Sequence, residues 1–132
     1  MKILLLFLLP LISRAELVVV VSGAKNDNGK IGLLVFHKAE GFPDASEKAL
    51  HRVEQVAKKG SLIFKLPDLN PGSYAFVVLH DENKNQKLDK NFIGYPKEGF
   101  AISNYSKIAR PKFAKALVEN PMSPLKLKLL YP

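Results

Sequence analysis

Short apolar runs separated by turn residues dominate the chain from residue 17 to its end. The runs are Leu17–Val21, Ile31–His37, Ser61–Leu66, Ser73–Leu79 and Leu125–Leu129. Short runs of this kind, rich in β-branched and aromatic residues, are typical of strands. A parallel α/β fold would need a helix between successive strands, and the chain offers at most one candidate helix. The pattern therefore predicts an all-β fold, an antiparallel β-sandwich of about seven strands in one domain.

The first two runs and the last carry further detail. Leu17–Val21 is apolar at every position, as in a strand that is buried on both faces or lies at the core of a sandwich. The turn Asn26-Asp27-Asn28-Gly29 follows it, and because Asn-Gly readily adopts positive φ, we expect a hairpin over residues 17–37. Leu125–Leu129 alternates leucine with lysine, which predicts one buried face and one face in water.

One segment, residues 44–57, fits two structures. Asp44 followed by Glu47 matches a helix start, with the aspartate as cap and the glutamate at the third helical position. A helical face would continue through Leu50, Val53 and Ala57. However, residues 51–56 could equally form an edge strand. The local pattern slightly favours helix, and both interpretations stay open.

The first fifteen residues are predicted to be a signal peptide. Met1-Lys2 gives a positive start, Ile3 to Ile12 is apolar, and Ser13-Arg14-Ala15 offers small residues at a cleavage site that would leave Glu16 as the new N-terminus. The apolar block is too short to span a bilayer, which takes about 20 residues. The chain has no cysteine, which rules out both disulfides and an acylated lipoprotein cysteine. We expect a periplasmic or secreted protein, with no transmembrane anchor after cleavage and residues 16–132 as the domain.

The charge is strongly positive and carried mainly by lysine. The full chain has a formal net charge of +8, from 20 basic and 12 acidic residues. Such an excess favours anionic partners, for example an acidic envelope protein or an anionic glycan. Arginine is the residue that reads bases and grips phosphate in two places, and only Arg14, Arg52 and Arg110 occur. Export and the lysine bias together argue against nucleic acid.

Potential chemistry is concentrated just after the apolar run that ends at Leu79. Oxygen-bearing side chains recur at alternate positions, as in a calcium loop of the EF-hand kind. The candidate ligands are Asp81, Asn83, Asn85, Lys87 through its backbone carbonyl, Asp89, and Glu98 as a closing carboxylate. Two positions depart from that loop: Gln86 stands where a glycine eases the turn, and Phe92 where a bidentate glutamate is expected. With few anionic ligands, we expect an affinity on the order of 10⁻⁴ to 10⁻³ M.

The same loop permits other interpretations. Asn and Asp side chains also bond to nearby backbone amides, so consecutive Asx turns without a metal would use the same residues. A small hydrolase could instead use His80, Asp81 and Glu98 in a cleft, with the histidine as base or the two carboxylates as an acid–base pair. A purely structural envelope protein, whose sandwich edges pair with other chains, is a third possibility.

Several spaced motifs together resemble an exported bacterial family of unknown function, domain-of-unknown-function family 2141. The motifs are Phe42-Pro43, Pro71-Gly72-Ser73-Tyr74-Ala75, His80-Asp81-x-Asn83-x-Asn85-x-x-Leu88-Asp89, Gly94-x-Pro96-x-Glu98-Gly99, Ser103-Asn104 and Pro111-x-Phe113. The resemblance implies a β-sandwich similar to transthyretin-like or immunoglobulin-like domains. It also implies a helical turn over residues 44–50 and a strand over residues 52–57. It supplies no activity.

From these observations we expect a non-enzymatic, exported module. Its Asp/Asn loop would hold a structural calcium ion and, with the basic surface, engage an envelope protein or an anionic glycan. The residues expected to shape the loop are His80, Gly94, Pro96, Gly99, Ser103 and Asn104. The small periplasmic hydrolase is the alternative.

Overall fold

In a computed structural model, which describes residues 16–83 and 98–132, the regular secondary structure is almost entirely β-strand. The strands are β1 (Leu17–Ala24), β2 (Lys30–Phe36), β3 (His51–Val56), β4 (Gly60–Leu66), β5 (Ser73–Asp81), β6 (Phe100–Ile102), β7 (Leu117–Glu119) and β8 (Leu125–Lys128). A 3-10 turn at Ser46–Lys48 and a four-residue helix α1 at Phe113–Ala116 complete the described elements. The all-β prediction is confirmed.

The strands form two sheets that pack face to face. One sheet has three strands in the order β4-β1-β8. The other has five strands: four lie in the order β3-β2-β5-β6, and the fifth, β7, also pairs with β5. The described strand pairs are antiparallel except β1 with β8, which run parallel. A single antiparallel bridge between Phe100 and Leu130 joins the two sheets along one side of the sandwich.

The hairpin expected over residues 17–37 is wrong. β1 pairs with β4 and β8, whereas β2 pairs with β3 and β5, so the two strands belong to different sheets. The turn between them does contain Gly29 at a φ of +70°. A turn that reverses the chain within a sheet and one that carries it across to the opposite sheet can both use Asn-Gly, and the local sequence does not separate them.

The ambiguous segment is resolved as a turn followed by a strand. The helix favoured for residues 44–57 is wrong, because only Ser46–Lys48 form a 3-10 turn. Residues 51–56 form β3, which pairs with β2 at the edge of the sheet. The turn and strand implied by the family resemblance are confirmed. Side chains of β3 alternate between half-buried and exposed, which suits an edge strand. Pairing with β2 therefore outweighs local helix propensity.

Two apolar clusters stabilise the sandwich. The larger lies between the sheets and includes Val19, Phe64, Phe76 and Leu127. The second lies on the outer face of the five-stranded sheet, where the chain segments containing Phe42 and α1 cover it. The alternating burial of β1 and β8 follows from this arrangement, since only one face of the three-stranded sheet meets the core. This confirms the alternation expected for Leu125–Leu129.

The predicted signal peptide, residues 1–15, lies outside the described residues. Within residues 16–83 and 98–132, no helix combines the length and the hydropathy of a membrane span.

Candidate functional site

The end of β5 carries the candidate catalytic and metal-binding residues, and it separates two of them. Successive side chains of a strand point to opposite faces of its sheet. Tyr74, Phe76 and Val78 belong to the cluster between the sheets, and His80 follows them on that inner face. Asp81 follows Ala75 and Val77 on the outer face. The two neighbouring residues therefore do not form a histidine–carboxylate pair across a shared cleft.

His80 is fully buried, and both of its ring nitrogens have partners. Nδ1 lies 2.7 Å from the hydroxyl of Tyr131, and Nε2 lies 2.7 Å from the backbone carbonyl oxygen of Asn28. A carbonyl can only accept, so Nε2 carries the proton and donates to Asn28. Nδ1 then accepts a hydrogen bond from the Tyr131 hydroxyl. Both ring nitrogens are therefore occupied, and neither is left for a substrate.

Tyr131 holds this histidine in place and is itself fixed by the chain around it. Its hydroxyl accepts a hydrogen bond from the backbone N–H of Lys25 at 3.0 Å. Its ring packs so closely on Gly99 that a Cβ there would lie 2.3 Å from a ring carbon. Burial raises the pKa of Tyr131, which keeps the phenol protonated and able to donate to His80 at neutral pH. We call Lys25, Asn28, His80, Gly99 and Tyr131 the His80 cluster.

The carboxylates of Asp81 and Glu98 are both largely buried where the described chain leaves and re-enters the sandwich. A carboxylate oxygen of Glu98 accepts a hydrogen bond from the backbone N–H of Glu82 at 3.2 Å. This bond brings Glu98 to the residue directly after Asp81, as the prediction of a closing carboxylate requires. Asn83, the next candidate ligand, is exposed.

The remaining candidates of the Asp/Asn loop, Asn85, Lys87 and Asp89, lie outside the described residues, as do Gly94 and Pro96. Within residues 16–83 and 98–132, no three His, Asp or Glu side chains converge as a metal site would require. The described carboxylates alone therefore do not make up a calcium site.

Asp81 also lines a shallow cavity on the outer face of the five-stranded sheet. The cavity, about 30 Å³ in volume, lies over Gly32, with Lys30, Arg52 and Glu54 around it. Sites for small molecules typically occupy about 300–1,000 Å³. Neither His80 nor Glu98 lines this cavity. The three proposed hydrolase residues are thus not joined by it.

Ser103 and Asn104, expected to shape the loop, connect β6 to the segment that contains α1. Ser103 Oγ accepts from the N–H of Phe76 at 3.0 Å and donates to the carbonyl of Ala116. Asn104 adopts a φ of +67° and donates to the carbonyls of Lys115 and Leu117. Their contacts fix the cover of the second apolar cluster.

The outer face of the three-stranded sheet is basic and partly apolar. Its outward-pointing residues are Val18, Val20 and Ser22 of β1, Ser61, Ile63 and Lys65 of β4, and Lys126 and Lys128 of β8. Lysines therefore flank a central apolar strand on both sides, and no outward position of these three strands is acidic. Ile63, which pairs with Val20, is 55% exposed. We call this surface the basic face.

The sequence pattern did not identify Tyr131, Asn28 or the basic face. Tyr131 lies 51 residues from His80, and no local motif links the two. The basic face needs the pairing of β1 with β4 and with β8, because each strand alone contributes at most two lysines. The leucine–lysine alternation of β8 was the one feature of the sequence that indicated part of the basic face.

Comparison with known proteins identifies the family. No curated protein and no solved structure gave a match. The model of a bacterial family described as "Uncharacterized protein conserved in bacteria" (DUF2141) matches residues 19–124. This match runs from β1 to the residue before β8, and it confirms the resemblance carried by the spaced motifs. The chain belongs to the DUF2141 family.

Proposed function

We propose that this protein is a non-enzymatic, exported β-sandwich module that binds an anionic partner of the cell envelope through its basic face. The observation that carries the proposal is the arrangement of Lys65, Lys126 and Lys128 around Val18 and Val20. Val18 and Val20 lie half-buried on this face, and their neighbour Ile63 is 55% exposed. A partner that supplies apolar contacts and negative charge would fit this surface.

The hydrolase is the weaker candidate. It needs His80, Asp81 and Glu98 to meet in a cleft with a reactive ring nitrogen. His80 instead donates to Asn28, accepts from Tyr131 and lies on the opposite face of β5 from Asp81. The two hydrogen bonds of the His80 ring link Asn28, in the β1–β2 connection, to Tyr131 near the C-terminus.

A first experiment tests the basic face with a matched control. We expect the triple variant Lys65→Glu/Lys126→Glu/Lys128→Glu to bind dextran sulfate at least roughly tenfold more weakly than residues 16–132 of the natural sequence, because three attractive contacts become repulsive. The control is Lys38→Glu/Lys112→Glu/Lys115→Glu, which changes the net charge equally at exposed positions after β2 and at α1, on the side of the five-stranded sheet. Neutral dextran serves as the blank. Equal losses in both triple variants, measured by calorimetry, would show that only net charge matters and would refute the basic face.

Calcium is the second part of the proposal. Asp81 and Glu98, with Asn83, Asn85, Asp89 and the Lys87 carbonyl, would hold one structural ion beside the end of β5. Its support is the spacing of oxygen ligands and the burial of the first and last carboxylates. The ion would order the loop and would take no part in a reaction.

Calcium titration of residues 16–132 tests this part. We expect saturable heat and a raised melting temperature at a Kd on the order of 10⁻⁴ to 10⁻³ M, both lost in Asp81→Asn. Asp68→Asn, which alters an exposed aspartate between β4 and β5, should bind like the natural sequence. Absence of heat and of a melting shift at millimolar calcium would refute calcium binding. Asx turns would then be the explanation for the structure of the loop.

A further inference from the structure

The side of the sandwich where β6 and β8 approach each other is incompletely paired. Beyond the bridge between Phe100 and Leu130 the described residues of the two strands form no further pair, and a groove of about 470 Å³ lies between them. Ala101 and Ile102 line one wall, and Lys126, Leu127 and Lys128 line the other. The described strands are therefore not joined into a closed barrel on this side.

The backbone of β8 presents free hydrogen-bonding groups to this groove. Leu129 donates its N–H to Ser22 of β1, whereas Leu130 exchanges hydrogen bonds with Phe100 on the opposite side. Backbone groups of successive strand residues alternate in direction, so those of Lys128 and Lys126 point the same way as those of Leu130. Among the described residues, none pairs with them there. Within residues 16–83 and 98–132, β8 thus has an open edge that faces the groove.

The surroundings of this edge select one kind of strand. Leu127 and Ala101 are buried members of the cluster between the sheets, so the floor of the groove is apolar. The side chains of Lys126 and Lys128 stand on the outer face, and none of the described residues that line the groove is acidic. Lysines on an open edge oppose pairing with a second copy of β8, because like charges would face each other. They favour a strand that carries carboxylates.

We infer that the partner of the basic face is a protein that adds an extended strand to the open edge of β8, with acidic residues opposite Lys126 and Lys128 and apolar residues facing Leu127. The inference rests on the proposed function and specifies the class of its partner. The added strand runs antiparallel to β8, continuing the antiparallel contact between Phe100 and Leu130. Main-chain hydrogen bonds then supply affinity, and the alternating side chains supply specificity.

The test uses synthetic peptides rather than an unidentified partner. The probe is a capped peptide of about eight residues that alternates valine with glutamate, the length of one strand. In an antiparallel pair, the residues opposite Lys126 and Lys128 exchange both backbone hydrogen bonds with them, so these are the glutamates. N-methylation of the glutamate amides should therefore weaken binding at least about tenfold, whereas N-methylation of the valine amides should have little effect.

A charge exchange adds a second test in the protein. The variant Lys126→Glu/Lys128→Glu should no longer bind the valine–glutamate peptide and should bind the corresponding valine–lysine peptide. The control variant Lys58→Glu/Lys59→Glu should still prefer the valine–glutamate peptide. The variant changes two exposed side chains and leaves the backbone edge intact.

The possible results separate this inference from the proposed function. If N-methylation of the glutamate amides has no effect, or if the peptide fails to bind while dextran sulfate still binds, strand addition is overturned and the basic face stands. If neither probe binds, both proposals fail. Concentration-dependent dimerisation that blocks the peptide, measured by sedimentation, would assign the edge to a second copy and would also overturn the inference.

Discussion

Replacing Gly29 with alanine is expected to destabilise the protein by about 4 kcal/mol. Gly29 has a φ of +70°, a conformation that costs other residues about 1–2 kcal/mol. A Cβ at this position would lie 2.0 Å from the backbone carbonyl oxygen of Asp81, and overpacking of this kind costs a further ~1–3 kcal/mol. The obstacle is backbone, so no side-chain rotation relieves it. Chemical denaturation followed by circular dichroism measures the loss.

Gly60→Ala provides the matched control for this substitution. Gly60 also has a positive φ, at +103°, but a Cβ there would meet nothing within 4 Å. It should therefore lose only the conformational part, about 1–2 kcal/mol. A Gly29→Ala protein no less stable than Gly60→Ala would contradict the close approach of the β1–β2 turn to the end of β5.

Replacing His80 with phenylalanine is expected to cost about 3 kcal/mol in stability. The ring volume is largely kept, but the carbonyl of Asn28 loses its donor and the Tyr131 hydroxyl loses its acceptor. A buried polar group left without a partner costs about 1–3 kcal/mol. His37→Phe, which alters an exposed histidine after β2, should change stability by less than about 0.5 kcal/mol.

A double-mutant cycle with Tyr131→Phe shows whether the two side chains act together. Because they share a hydrogen bond, the double variant should lose at least about 1 kcal/mol less than the sum of the single losses. Additive losses would contradict the His80 cluster. The His80→Phe protein should still bind dextran sulfate where it remains folded, because His80 lies on the inner side of the opposite sheet.

The fold could be predicted from the sequence where the pattern is local. The leucine–lysine alternation of β8 indicates one face on the core, and the continuous apolar run of β5 indicates burial on both faces. The pairing of strands is not local. β1 lies beside β8 more than one hundred residues away, and its neighbour in sequence, β2, belongs to the other sheet.

The sequence predicted where along the chain the candidate site residues lie, but not which contacts they make. The sequence pattern pointed to His80, Asp81 and Glu98, and the last of these does return to the end of β5. It gave no sign that His80 would bond to Tyr131, because that contact depends on how the last residues pack over Gly99. The preference for helix in residues 51–57 failed for a similar reason, since pairing with β2 decides their conformation.

The most direct test of the central claim, that the protein works by binding through its basic face, is an NMR titration of ¹⁵N-labelled residues 16–132 with dextran sulfate. We expect the largest amide shift changes along residues 18–22, 61–65 and 126–128, on the outer face of the three-stranded sheet. Changes centred instead on Arg52, Lys30 and the cavity beside Asp81 would contradict the claim and place binding on the other sheet.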